Sequence, residues 1–254
     1  MSLEPEFEAW LRRQYPSIES EWEGATDEDI ARVEAIAGQP LPRFYRWFLS
    51  TLGGEPDALP EIPKVYRACS IGVVLGAYDR GELARVGPPF LFIGEIEDPM
   101  MTMSFFYDLS QPIRDDAMVL TQVTGGGLTK TAETLRERLA WSTIIVARVL
   151  EYPQQCSGWL KSPSGEVMAR LEPVLADLGF VAVVPHGPFC GAYEREGAAL
   201  ALKVEPEAEH RDLLTFDLGG LDSKTLRRIL GTLSTEGEIE VKISEWKPPL
   251  PTSA

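Results

Sequence analysis

The chain has 254 residues, 44% of them hydrophobic and 25% charged, with a formal net charge of -15. That length and apolar content suffice for a packed core in one large domain or two of ordinary size. The acidity works against nucleic acid and anionic membranes, both of which are bound through lysine and arginine on phosphate, and it favours a basic partner or simple solubility.

In chain order, residues 3–15 read as a short amphipathic helix with Phe7, Trp10 and Leu11 on one side, closed by Pro16. Thr26 is an N-cap whose hydroxyl can accept from Asp29, and Asp27, Glu28 and Asp29 set negative charge against the helix dipole. Ile30, Val33 and Ala37 recur at helical spacing, and Gly38 supplies the stop. A second helix opens at Leu41-Pro42, carries Phe44, Tyr45, Trp47, Phe48, Leu49 and Leu52, and ends at Gly53-Gly54. Such a helical hairpin cannot bury both apolar faces by itself. Residues 70–76 fit a strand or a short helix equally. Residues 90–96, 101–109 and 118–123 read as strands, and the short gaps between them predict an antiparallel meander. Thr129 or Thr131 is expected to cap a helix reaching about Leu150.

The helical pair, with Thr26, Ile30, Glu34, Gly38, Leu41-Pro42, Tyr45, Phe48, Leu49 and Gly53-Gly54, resembles the SUKH superfamily. That superfamily takes in fungal cell-wall-assembly regulators and bacterial toxin-immunity proteins. The stretch FLFIGEIEDPMMTMSFFYDLSQP is similar to its strand, Ile-Gly turn and strand ending in Asp, and KTAETLRERL to its C-terminal helix. The resemblance covers about residues 20 to 150 and leaves the last hundred untouched. It implies helices packed on a mainly antiparallel sheet and a protein that binds another protein.

Residues 156–254 form a second expected unit, after a first of 1–155. A helix is expected to open at Pro163-Ser164, and Pro173 to kink or divide it. Residues 180–185, 191–195, 198–204 and 213–218 read as strands, Asp222 or Ser223 caps a helix through Leu230, and residues 238–243 close the unit as a strand. The expected fold class is α+β in both units, and the final KPPLPTSA reads as disordered.

Chemistry-bearing groups are few. His186 and Cys190 stand four apart and could pair as base and nucleophile, although no nucleophile motif surrounds them and a structural pair is the plainer reading. His210 lies in an acidic run that reads as a surface loop rather than a metal site. Gly125-Gly126-Gly127 before Lys130-Thr131 suggests a phosphate loop at a helix start, but the lysine spacing does not fit. Cys69, Cys156 and Cys190 are odd in number and widely spaced, which predicts reduced thiols. No run is apolar enough to span a bilayer and no signal peptide is visible, so a cytoplasmic location is expected.

The candidate partner-binding residues are Glu95, Glu97, Asp98 and Met100 at one strand turn, Asp108 at a strand end, and Asp115 and Asp116 in the next loop. The two loops belong to opposite ends of a meander and need not form one patch. Solvated loop tips are the competing reading of the same carboxylates. Tyr78, Met100, Met101 and Tyr107 are candidate apolar anchors. No cofactor or metal is expected, and no catalysis. The resemblance implies an intracellular immunity protein that neutralises a basic toxin. The alternatives are a regulatory scaffold on the same fold, a small-molecule binder, or a cysteine enzyme.

Overall fold

The computed structural model describes residues 4–16, 23–54, 63–81, 87–97, 102–162, 166–204 and 212–249. The fold is α+β, with ten strands among the described residues in two antiparallel sheets. The chain divides into two compact units, Met1–Leu139 and Ala140–Ala254, and the division falls within one helix.

In unit 1, α1 (Pro5–Gln14) buries Phe7, Trp10 and Leu11, with Pro5 in its first turn where no internal hydrogen bond is lost. α2 (Asp27–Ala37) starts at Thr26, whose hydroxyl accepts from the Asp29 amide at 3.1 Å. It stops at Gly38 in the left-handed conformation, φ 68°. α3 (Arg43–Leu52) buries six of its ten residues, all apolar or aromatic. Two short helices follow, α4 (Lys64–Ala68) and α5 (Ile71–Asp79), which decides residues 70–76 in favour of helix.

The sheet of unit 1 is the expected antiparallel meander of three strands extended by a fourth, in the order β1 (Phe90–Ile96), β2 (Met103–Ile113), β3 (Asp116–Val123) and β4 (Leu128–Ala132). Aromatic rings join helix to sheet and strand to strand. Tyr45 of α3 meets Tyr107 of β2 edge-on with centroids 5.2 Å apart, and Phe92 of β1 meets Phe106 of β2 at 5.6 Å.

β4 corrects the sequence reading. Thr129 and Lys130 pair with β3 instead of opening a helix, and the Thr121 and Thr131 hydroxyls meet across the strands at 2.8 Å. β-branched residues favour this pleated setting. The helix begins later, as α6 (Leu135–Ile144), capped by Thr134, which accepts from the Glu137 amide while Glu137 accepts from the Glu133 amide. A single π-helical turn, Ile145–Val149, continues it.

Unit 2 carries a six-stranded sheet in the order β10-β5-β9-β8-β7-β6. Its strands are β5 (Gln154–Lys161), β6 (Val181–Ala182), β7 (Cys190–Arg195), β8 (Ala198–Val204), β9 (Leu213–Gly220) and β10 (Glu240–Lys247). α7 (Val167–Asp177) and α8 (Ser223–Glu236) cover one face, burying Leu171, Leu175, Leu200, Leu202, Leu214, Phe216, Leu226 and Ile229 in one cluster. The π-helical turn lies against β8 and β9 on the other face. Adjacent glycines mark the two sides. A Cβ on Gly219 would sit 2.6 Å from the Val149 carbonyl oxygen, and one on Gly220 would sit 2.7 Å from the Leu226 side chain of α8.

Three expectations here need correction. α7 is not divided at Pro173, an exposed residue at which only one ladder bond is forfeited. The strand expected over 180–185 shrinks to Val181–Ala182. β5 went unforeseen because its inward positions, Cys156, Gly158 and Leu160, include two small residues that give weak alternation. The expected opening of α7 at Pro163-Ser164 and the final residues 250–254 lie outside the described residues.

Candidate functional site

Gly94 positions a cleft of unit 1. β1 bulges between Phe92 and Gly94, and a Cβ at Gly94 would stand 2.4 Å from the Ala68 carbonyl oxygen. Only glycine admits that approach, so the end of α4 rests directly on β1. The chain then turns sharply, with the Cys69 amide on Val65 O, Ser70 on Arg67 O and Ile71 on Gly53 O at 2.7 Å. The corner so formed walls a cleft of about 680 Å³, lined by Lys64, Arg67, Ser70, Arg80, Glu95 and Glu97 together with Gly72 and Val73 of α5. Among the described residues, three cations and two carboxylates line it, in a chain of net charge -15. Glu95 is half-buried and accepts a hydrogen bond from the Ser104 hydroxyl at 2.8 Å, while Glu97 is exposed.

The sequence-predicted residues fall into two groups. Glu95 and Glu97 share this cleft, and Asp98 and Met100 lie outside the described residues. Asp108, Asp115 and Asp116 stand at the opposite end of the meander, because β1 runs from Phe90 opposite Asp108 to Ile96 opposite Met103. Only Asp115 there is exposed, held by Arg43 at 3.3 Å in the β2–β3 turn.

Asp108 and Asp116 are buried, which corrects their reading as rim charges. Burial pushes the Asp108 carboxyl up, but hydrogen bonds from Ser110 and Gln111 outweigh it and hold the group below its ordinary value. Asp116 accepts from the Tyr107 hydroxyl at 2.7 Å and from the Ala117 and Arg136 amides at 2.9 and 3.2 Å. Burial still wins there, raising its pKa to about 6. Around it, Arg136 pairs with Glu4 at 2.8 Å and stacks over Phe44 with its guanidinium carbon 4.7 Å from the ring centroid. These groups brace the hairpin against the helices. Of the expected anchors, Tyr107 is fully buried, Tyr78 is half-buried with its hydroxyl accepting from the Phe92 amide, and Met100 and Met101 lie outside the described residues.

The other sequence signals resolve as structure. Gly125 to Gly127 form the β3–β4 turn, where the Gly126 amide bonds Val123 O, so the expected helix start is missing and Lys130 sits on a strand. His186 contacts Tyr193, whose hydroxyl lies 2.6 Å from Nε2, and its Nδ1 lies 2.9 Å from Gly187 O. Cys190 is paired with Lys203 and Tyr193 with Leu200, which puts thiol and phenol on opposite faces of β7. Burial pushes the Cys69 and Cys156 thiols up to about 12. His210 lies outside the described residues.

Sequence reasoning missed Lys64, Arg67, Ser70 and Arg80. Ser70 ahead of the apolar run Ile71 to Leu75 was a visible cap signal, whereas the three cations stand far from Glu95 in sequence. Fold and cleft together define a two-unit α+β protein with a charged surface cleft in its first unit. No protein-family model matches the chain, and no curated protein or solved structure matches it. Among the described residues no helix is long and apolar enough to cross a membrane, and no cluster of three or more His, Cys, Asp or Glu side chains is placed to hold a metal ion.

Proposed function

We propose that this protein is a non-enzymatic binding module that docks on a basic partner protein, a cognate toxin domain, and neutralises it in the cytoplasm. The observation that carries the reading is the net charge of -15 on a chain whose first unit lays a capped helical pair over an antiparallel meander. Exposed carboxylates at Asp27, Glu28, Glu97 and Asp115 supply an acidic field that would steer a cationic partner. Support for a binding rather than a chemical role comes from the thiols, which are buried, and from His186, whose ring lies against Tyr193 and Gly187 with the Glu172 carboxylate 4.0 Å from Nε2. Free thiols also fit a reducing compartment.

The test is capture of the partner by the tagged full chain, followed by association kinetics over a salt series. The association rate is expected to fall about tenfold or more between low and physiological salt, and to fall further in a Glu97→Lys/Asp115→Lys variant. A rate indifferent to both would overturn the reading.

A further inference from the structure

The unit 1 cleft carries a feature that an acid-for-base docking surface does not need. The N-terminus of α5 opens into it. Ser70, the N-cap residue, lines the cleft, is only 5% exposed, and makes no cap bond. Among the described residues its hydroxyl has no hydrogen-bond partner at all, although N-cap serines ordinarily bond the first-turn amides. Gly72 and Val73 also line the cleft and carry first-turn N–H groups, which a helix leaves without an internal acceptor. Gly72 offers bare backbone to whatever enters. One and two turns on along the same face stand Gly76 and Arg80, and the Arg80 guanidinium folds back so that its Nη1 would lie 3.1 Å from a Gly76 Cβ. Lys64 and Arg67 add positive charge from α4, against which Glu95, already engaged by Ser104, and exposed Glu97 stand on the β1 side.

We propose that this cleft binds the phosphate group of a small molecule. The Ser70 hydroxyl and the Gly72 and Val73 amides would donate to its oxygens, and Lys64, Arg67 and Arg80 balance its charge. At about 680 Å³ the cleft has room for more than a bare anion, so free phosphate and a nucleotide are the two sources to separate.

The experiment is titration of ¹⁵N-labelled full chain with inorganic phosphate and, separately, with adenosine monophosphate at constant ionic strength. The Gly72 and Val73 amide resonances are expected to shift saturably. Ser70→Ala should weaken binding about tenfold, in line with the loss of one hydrogen bond to a charged group. Arg80→Gln should weaken it, and Glu97→Gln, at an exposed position that folding does not depend on, should tighten it by relieving repulsion. Tighter adenosine monophosphate identifies a nucleotide site, and equal affinity identifies phosphate alone. Absence of saturable shifts at Gly72 and Val73 with either probe would overturn the proposal. So would an affinity unmoved by both Ser70→Ala and Glu97→Gln.

Discussion

Rings fill the interior of unit 1, where Phe7, Phe44, Tyr45, Trp47, Phe48, Tyr66, Phe105, Phe106 and Tyr107 are all buried. Unit 2 is filled by Leu200, Leu202, Leu214, Leu218, Leu226, Ile229 and Leu233, with Ala198, Ala199 and Ala201 where β8 meets its neighbours. Large rings bring polar tips inside with them. Unit 1 accordingly buries Asp116, Glu4, Glu137 and Arg138, and among the described residues its Trp10 and Trp47 indole nitrogens and Tyr45 hydroxyl find no hydrogen-bond partner. An aliphatic interior is sensitive chiefly to how well it is filled. An aromatic one with charges inside is sensitive also to pH and to the pairing of each tip.

Truncating one large side chain in each interior is the strongest way to probe that contrast. Phe48→Ala should cost unit 1 about 4 kcal/mol, and Leu200→Ala should cost unit 2 about 3 kcal/mol, through lost burial and a residual cavity. Hydrogen exchange at β2 and β8 reads each unit separately. A Phe48→Ala loss smaller than that of Leu200→Ala would mean the ring-built interior closes up easily, and the contrast in packing would fail.

Asp116 supplies the next largest effect, and it belongs to unit 1. Its folded pKa of about 6 lies above the ordinary aspartate value of 3.8, so between those limits the folded chain holds a proton that the unfolded chain has released. Stability from this group is therefore full below the lower value and declines as pH rises through the upper one, by roughly 3 kcal/mol in total. Asp116→Asn cannot titrate. The stability of the parent minus that of the variant, measured in urea, should fall as pH is raised from about 4 to about 7. A difference that is flat with pH, or that rises, would show that the three hydrogen bonds on the carboxylate outweigh its burial.

Two phenols whose rings touch, 5.2 Å apart, should respond in opposite directions. Tyr107→Phe deprives buried Asp116 of a donor at 2.7 Å and should cost about 1–3 kcal/mol. Tyr45→Phe removes a buried hydroxyl without a partner and should stabilise by about 1 kcal/mol. Like-signed effects would show that ring packing, and not the pairing of the tips, dominates here.

What could be read in advance follows the same division between local and distant causes. The helical pair was legible because its signals are local: Thr26 caps, Gly38 stops, and the apolar positions repeat between them. The strand at Leu128–Ala132 was missed although Thr134-x-x-Glu137 spelled the true helix start two residues beyond it. Asp115 and Asp116 look alike in sequence, yet the turn places the first at φ 62° in solvent and the second at the head of a strand pointing inward. No local pattern foretells the cleft, since it exists only because Gly94 lets the end of α4 rest on β1 and so brings Lys64 and Arg67 beside Glu95.

The smallest expected effect compares two N-caps of matching geometry, one in each unit. Thr26 accepts from the Asp29 amide at 3.1 Å, and Asp222 accepts from the Thr225 amide at 2.8 Å. Thr26→Ala should cost about 1 kcal/mol, and the part that comes from capping the Asp29 amide should not vary with pH, since a hydroxyl does not titrate in this range. The Asp222 carboxyl is held below its ordinary value by the Thr225 backbone and side-chain bonds. A depressed folded pKa gives a contribution that is present above the unfolded value and lost as pH falls through the folded one. The penalty of Asp222→Ala should therefore be visible at neutral pH in the exchange rates of the first turn of α8 and should fade on acidification. Persistence of that penalty in acid would mean Asp222 caps through its protonated oxygen as well as Thr26 does through its hydroxyl, and the two units would then share a cap of one kind.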